Sequence, residues 1–71
     1  MLRKDIIARA LPVLDKEIKL FQNIAEEQLV IYQLHGNKWH AERAAECQHK
    51  ANVLTELHDD LAAELDRQRH Q

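Results

Sequence analysis

The sequence predicts an all-α protein: an antiparallel two-helix hairpin that forms one domain over residues 1–71. Three observations lead to this fold class. Apolar residues recur at helical spacing in both halves, and the only strong break falls at residues 35–37. The chain also contains one glycine and one proline, which is too few for the turns of a β-sheet protein.

The first helix has apolar positions that alternate by four and three residues, so they line one face. A flanking row of Ala10, Ile24 and Ile31, with Leu20 and Leu34 beside it, widens that face to about 160°. A face this wide needs more than one neighbouring helix. The main row supplies the core candidates of this half: Ile7, Leu11, Leu14, Ile18, Phe21 and Tyr32. Ile24 of the flanking row is counted with them.

Two segments of the first helix leave alternatives open. Pro12 removes a backbone donor and clashes with the carbonyl of Ala8, which predicts either a kinked helix or a break near this residue. Residues 29–34 (LVIYQL) are rich in β-branched and aromatic side chains. They are interpreted as helix, with a short intermolecular strand as the alternative.

A turn at His35–Asn37 is expected to join the two helices. Gly36 suits the left-handed conformation that ends a helix, and the Asn37 side chain suits the N-cap of the next one. Because the connection is short, the helices should lie antiparallel. The second helix then carries a regular heptad stripe of His40, Ala44, Cys47, Ala51, Leu54, His58, Leu61, Leu65 and Gln68. Its core candidates are Ala44, Cys47, Ala51, Leu54, Leu61 and Leu65.

The width of the first apolar face predicts a homodimer. One hairpin has a single helix–helix contact, which would leave a large apolar patch in water. Association about a two-fold axis into a four-helix bundle covers that patch with the same surface of a second copy.

Composition excludes several function classes. A formal net charge of −2 gives no general attraction to nucleic acid or to acidic membranes. No apolar run approaches the roughly 20 residues of a membrane span, and the N-terminus lacks the apolar segment of a signal peptide. A lone Cys47 inside a helix is typical of a reducing cytosol, which predicts a cytoplasmic protein.

The sequence predicts no enzyme, no cofactor and no metal site. It contains no serine and no glycine-rich loop, and the heptad position of Cys47 predicts an inert, buried thiol. His40 and His58 are interpreted as hydrogen-bonded residues at the edge of the helix contact. Glu46 and His49 have the Glu-x-x-His spacing of di-iron bundles, but their register points both outward.

Charged side chains are distributed unevenly along the chain. Residues 1–22 hold five basic and three acidic side chains, net +2, and a dimer would double this basic end. The acidic second helix could meet a basic protein instead. The candidates for binding a partner lie on the polar side of the first helix: Lys16, Lys19, Gln22, Asn23 and Val30.

Residues 56–67 (ELHDDLAAELDR), chiefly Leu57-His58-Asp59 and Glu64-Leu65, resemble the second helix of the Rop-like family. The resemblance covers about a sixth of the chain. It implies a helical hairpin that dimerises into a four-helix bundle and an RNA-binding first helix, where Lys16, Lys19, Gln22 and Asn23 would face outward. The chain also has the general character of a small phage or plasmid accessory protein.

These observations predict a small, non-enzymatic homodimer that acts as a regulator or adaptor through protein–protein contacts. The first alternative is a Rop-like dimer that binds RNA or DNA with its basic N-terminal half. The second alternative is a metal-binding helical bundle.

Overall fold

Two long helices make up nearly all of the computed structural model, which describes residues 3–70. Helix α1 spans Arg3–His35 and helix α2 spans Lys38–Arg69, with two residues between them. The helices pack side by side, so the molecule extends 54 Å in one direction and only 15 and 13 Å in the others. The prediction of an all-α helical hairpin is confirmed.

The turn forms as the sequence predicts. Gly36 adopts a φ of 71°, and its N–H donates to the carbonyl of Tyr32 at 2.7 Å. The Asn37 side chain then accepts from the N–H of Trp39 at 2.9 Å, which caps α2. A left-handed glycine followed at once by an N-cap reverses the chain within two residues, and this holds the helices antiparallel.

Residues 29–34 are helical, so the alternative of an intermolecular strand is wrong. Ile31 and Tyr32 are partly buried, whereas Leu29 and Val30 are exposed. This is a helical alternation and not that of a strand. The structure contains no strand between residues 3 and 70.

Pro12 does not divide the first helix, so of the two alternatives the break near this residue is wrong, and the kinked helix stays a prediction. Helix α1 is assigned as one element through Pro12. Both Pro12 and Ala8 are exposed, and water can therefore satisfy the Ala8 carbonyl that loses its donor. A proline on the solvent side of a helix is the position at which the missing hydrogen bond costs least.

Small side chains form the centre of the contact between the helices, called the hairpin seam below. On α2 these are Ala44, Cys47 and Ala51, with Ala25 facing them from α1. The other buried residues are Ile7, Ile18 and Leu65. Small residues let the two backbones approach closely, but they also bury little apolar area.

The remaining core candidates are only partly buried in the single hairpin. They lie along the edges of the hairpin seam: Leu11, Leu14, Phe21, Ile24, Tyr32, Leu54 and Leu61. The hairpin therefore covers the middle of its apolar surface and leaves the margins half open.

The close approach of the helices gives a stability prediction. Ala51 is 0% exposed, so Ala51→Leu should force the helices apart and lower the free energy of unfolding by about 1–3 kcal/mol. The matched control, Ala45→Leu, places the same side chain on an exposed site and should change it by less than about 0.5 kcal/mol. Urea unfolding at one protein concentration measures both. Equal effects would contradict the tight packing at Ala51.

The continuity of α1 through Pro12 gives a second stability prediction. Pro12→Ala restores the donor for the Ala8 carbonyl and should raise the free energy of unfolding by up to about 3 kcal/mol. The same urea titration measures it. A loss of stability would show that the proline is needed for the path of the helix.

Candidate interaction surface

A second apolar stripe runs along α1 beside the hairpin seam. Its nine positions alternate by four and three residues, seven of them are apolar, and only two carry charge. These positions, called the second stripe below, are Ile6, Ala10, Val13, Glu17, Leu20, Ile24, Glu27, Ile31 and Leu34. The spacing is that of a helix that packs against a partner along its whole length.

The second stripe is largely open to solvent in the hairpin. Leu20 is 51% exposed and Leu34 is 74% exposed, and more than half of Ile6 and Val13 is also exposed. Ala10, Ile24 and Ile31 are partly buried because they border the hairpin seam. Ile6 and Val13 were not among the sequence candidates, although the continued spacing of Ala10, Ile24 and Ile31 could have found them.

Helix α2 contributes apolar residues to the same face of the hairpin. The ammonium group of Lys50 lies 5.6 Å from the ring centroid of Phe21, so the Lys50 side of α2 adjoins the second stripe of α1. Val53 and Leu57 lie three and seven residues after Lys50, which puts them on that same side. Both are about half exposed.

The hairpin exposes more surface than a compact chain of its mass. Its accessible area is 5500 Å², against about 4600 Å² expected for a folded 8.3 kDa monomer. Its radius of gyration is 16.1 Å, against about 11 Å expected for 71 residues. The excess of about 900 Å² compares with the roughly 800 Å² that each partner buries in a standard protein–protein interface.

The predicted partner-binding residues are all exposed on α1. Lys16, Lys19, Asn23 and Val30 follow one line along the helix, called the outer line below, and Gln22 lies one position off it. Lys19 is paired with Asp15 at 2.9 Å.

An open groove adjoins the C-terminal part of the outer line. Its lining comes from α1 alone: Asn23, Glu26, Glu27, Val30 and Ile31. A groove between the side chains of one helix holds no enclosed volume in which a small substrate could be surrounded.

The histidines do not converge on one site. His40 lies at the edge of the hairpin seam, where its Nδ1 is 2.7 Å from Oε1 of Gln28. Its ring packs edge-on against Trp39, with centroids 5.0 Å apart, and the Arg43 guanidinium lies 5.9 Å from the Trp39 ring centroid. Of these contacts, the one between Gln28 and His40 joins α1 to α2 near the turn.

No metal centre emerges from the geometry. Within residues 3–70, no three histidine, cysteine, aspartate or glutamate side chains come close enough together to hold an ion. Glu46 and His49 are exposed, as their register predicts, and Cys47 is buried in the hairpin seam.

The carboxyl group of Glu64 lies in the C-terminal part of α2. Hydrogen bonds from the side chains of Arg67 and Gln68 hold the pKa of Glu64 below its usual value. The charge of Arg67 and the more distant charge of Arg3 act in the same direction. Glu64 stays ionised near neutral pH, and its contacts fix the last turns of α2 without creating a reactive group.

Comparisons with known proteins return nothing for this chain: no family model matches the sequence, and neither a curated protein nor a solved structure matches it. Across residues 3–70, neither helix contains an apolar stretch long enough to cross a bilayer. The second stripe is therefore the most prominent feature that the described residues offer for function.

Proposed function

We propose that the chain is a non-enzymatic adaptor or regulator that works as a homodimer. Two hairpins would pack second stripe against second stripe and form a four-helix bundle. The outer faces of the bundle would then bind another macromolecule, and a protein is the first candidate. The observation that carries the proposal is the long apolar stripe that the single hairpin leaves uncovered.

A second copy satisfies the chemistry of the second stripe. A stripe with seven apolar positions gains most from another apolar stripe of the same length, and every copy of the chain supplies one. The 5500 Å² surface also exceeds that of a compact monomer by about the area of one side of a standard interface.

The outer line of α1 remains free in such a dimer and supports the adaptor role. Val30 is 53% exposed beside Glu26, while Lys16 and Lys19 lie further along the same helix. An apolar contact with charges on both sides is the usual layout of a surface that docks one helix of another protein.

The dimer can be tested with two variants of matched exposure. Leu20→Glu puts a charge in the middle of the second stripe and should weaken the dimer at least tenfold. Val30→Glu makes the same change at an equally exposed site on the outer line and should leave the dimer intact. Sedimentation equilibrium at micromolar concentration measures both masses. A monomeric parent chain, or equal effects of both variants, would contradict the proposal.

The Val30 variant also tests the adaptor role. Proteins captured from a nuclease-treated lysate by the parent dimer should be lost with Val30→Glu, while the Gln33→Glu variant, which changes a neighbouring exposed residue, should retain them. Identical captured proteins with all three baits would place partner binding elsewhere.

A nucleic-acid-binding dimer is the second candidate function. It is favoured by the five basic side chains in the first half of α1, all of which are exposed: Arg3, Lys4, Arg9, Lys16 and Lys19. In an antiparallel or parallel dimer these charges would line the outside of the bundle and could follow a phosphate backbone.

Salt dependence separates this candidate from the first. Binding to a structured RNA or to duplex DNA should weaken by about tenfold or more between 50 and 200 mM salt if two or more phosphates are contacted. Lys16→Gln should reduce the slope of log Kd against log salt by about one. Fluorescence anisotropy measures both quantities. A complex that ignores salt, or no complex at 50 mM salt, would exclude the nucleic-acid role.

A further inference from the structure

We infer that the second copy lies antiparallel along α1, so that the two α1 helices pair over their whole second stripes with Leu20 at the two-fold axis. This inference rests on the homodimer proposed above and adds its topology. Three features of the described residues support it: the positions of the two charges in the second stripe, the opposite net charges of the two halves of α1, and the acidic side chains that make α2 a poor partner for the second stripe.

The two glutamates of the second stripe favour the antiparallel arrangement. In a parallel pair in register, Glu17 would face Glu17 of the second copy, and Glu27 would face Glu27 of the second copy. In an antiparallel pair centred on Leu20, each glutamate meets an apolar residue instead, because Glu17 faces Ile24 and Glu27 faces Val13 of the second copy. Like charges buried against each other are costly, so the parallel register is disfavoured.

The apolar positions of the stripe match in the antiparallel register as well. When the nine positions are reversed about Leu20, the four- and three-residue steps exchange places. Each position of one helix then lies within one residue of a position of the other helix. Apolar residues then face each other at both ends and at the centre of the stripe. These pairs are Ile6 with Leu34, Ala10 with Ile31, and Leu20 with Leu20 of the second copy.

The charge of α1 changes sign along its length. Residues 3–19 hold five basic and three acidic side chains, net +2, whereas residues 20–35 hold only two acidic ones, net −2. Antiparallel pairing brings each positive half beside a negative half, and parallel pairing brings like beside like. Complementary halves of this kind select the orientation of paired helices.

Pairing α1 with α2 of the second copy is the remaining arrangement, and the sequence of α2 disfavours it. The Lys50 ammonium lies 5.6 Å from the Phe21 ring centroid, so Lys50 and Phe21 lie at similar heights along the hairpin. At those heights, α2 would present three acidic side chains to apolar positions of the second stripe: Glu46, Asp60 and Glu64. Only Trp39, Val53 and Leu57 of α2 would make apolar contacts.

Distances between spin labels test the topology directly. Labels are placed at Gln33→Cys or Gln22→Cys in a Cys47→Ala background, since both glutamines are exposed and share one side of α1. In the antiparallel dimer the two Gln33 labels should lie about 39 Å apart along the bundle axis, and the two Gln22 labels only about 6 Å, at 1.5 Å per residue from Leu20.

The comparison of the two label sites needs no assumption about label geometry. The antiparallel topology requires a much longer distance at position 33 than at position 22. If the two α1 helices are parallel, each label lies level with the same label of the second copy. This holds as well when α1 packs against α2 of the second copy. Equal distances at both sites would therefore overturn the topology. Sedimentation of the same labelled samples distinguishes failure of the topology from failure of the homodimer proposal. A dimer with equal distances refutes only the topology, whereas a monomer refutes the proposed dimer itself.

Discussion

The structure depends on one constraint: a chain of two helices has a single contact in which to bury apolar side chains. That contact is closed by small residues, Ala25 from α1 and Ala44, Cys47 and Ala51 from α2. Small residues allow close packing, but the area that they remove from water is modest, and hydrophobic stabilisation follows that area. The larger apolar residues of α1 consequently lie at the margins of the contact or outside it.

This constraint connects the fold to the proposed function. A hairpin with more apolar surface than one contact can cover is suited to assembly, and in the dimer proposed above the second stripe would define the orientation of the two copies. The two glutamates in that stripe weaken any interface that buries them, yet they also distinguish one orientation of the partner from the other. Charged residues within an apolar stripe commonly lower the affinity of an interface and at the same time specify its register.

Other features of the described residues are consistent with the binding role proposed above. The buried thiol lies among alanines, the histidines are dispersed along the described chain, and the groove beside Val30 is formed by one helix alone. The lowered pKa of Glu64 has its cause in side-chain hydrogen bonds on the surface of α2. The described residues offer three surfaces for binding: an apolar stripe, an outer line with mixed charges, and a basic N-terminal half of α1.

The amino-acid sequence determined the local features, because each depends on neighbours within one or two turns. Helical spacing predicted both helices, and Gly36 and Asn37 predicted the turn, since the left-handed backbone and the side-chain cap are local properties. The tertiary structure alone decided the ambiguous segments. Residues 29–34 remain helical because α2 covers one side of them, and Pro12 stays within α1 because it faces water. Which apolar residues are left uncovered also depends on how α2 packs, since burial is a property of the contact and not of the residue.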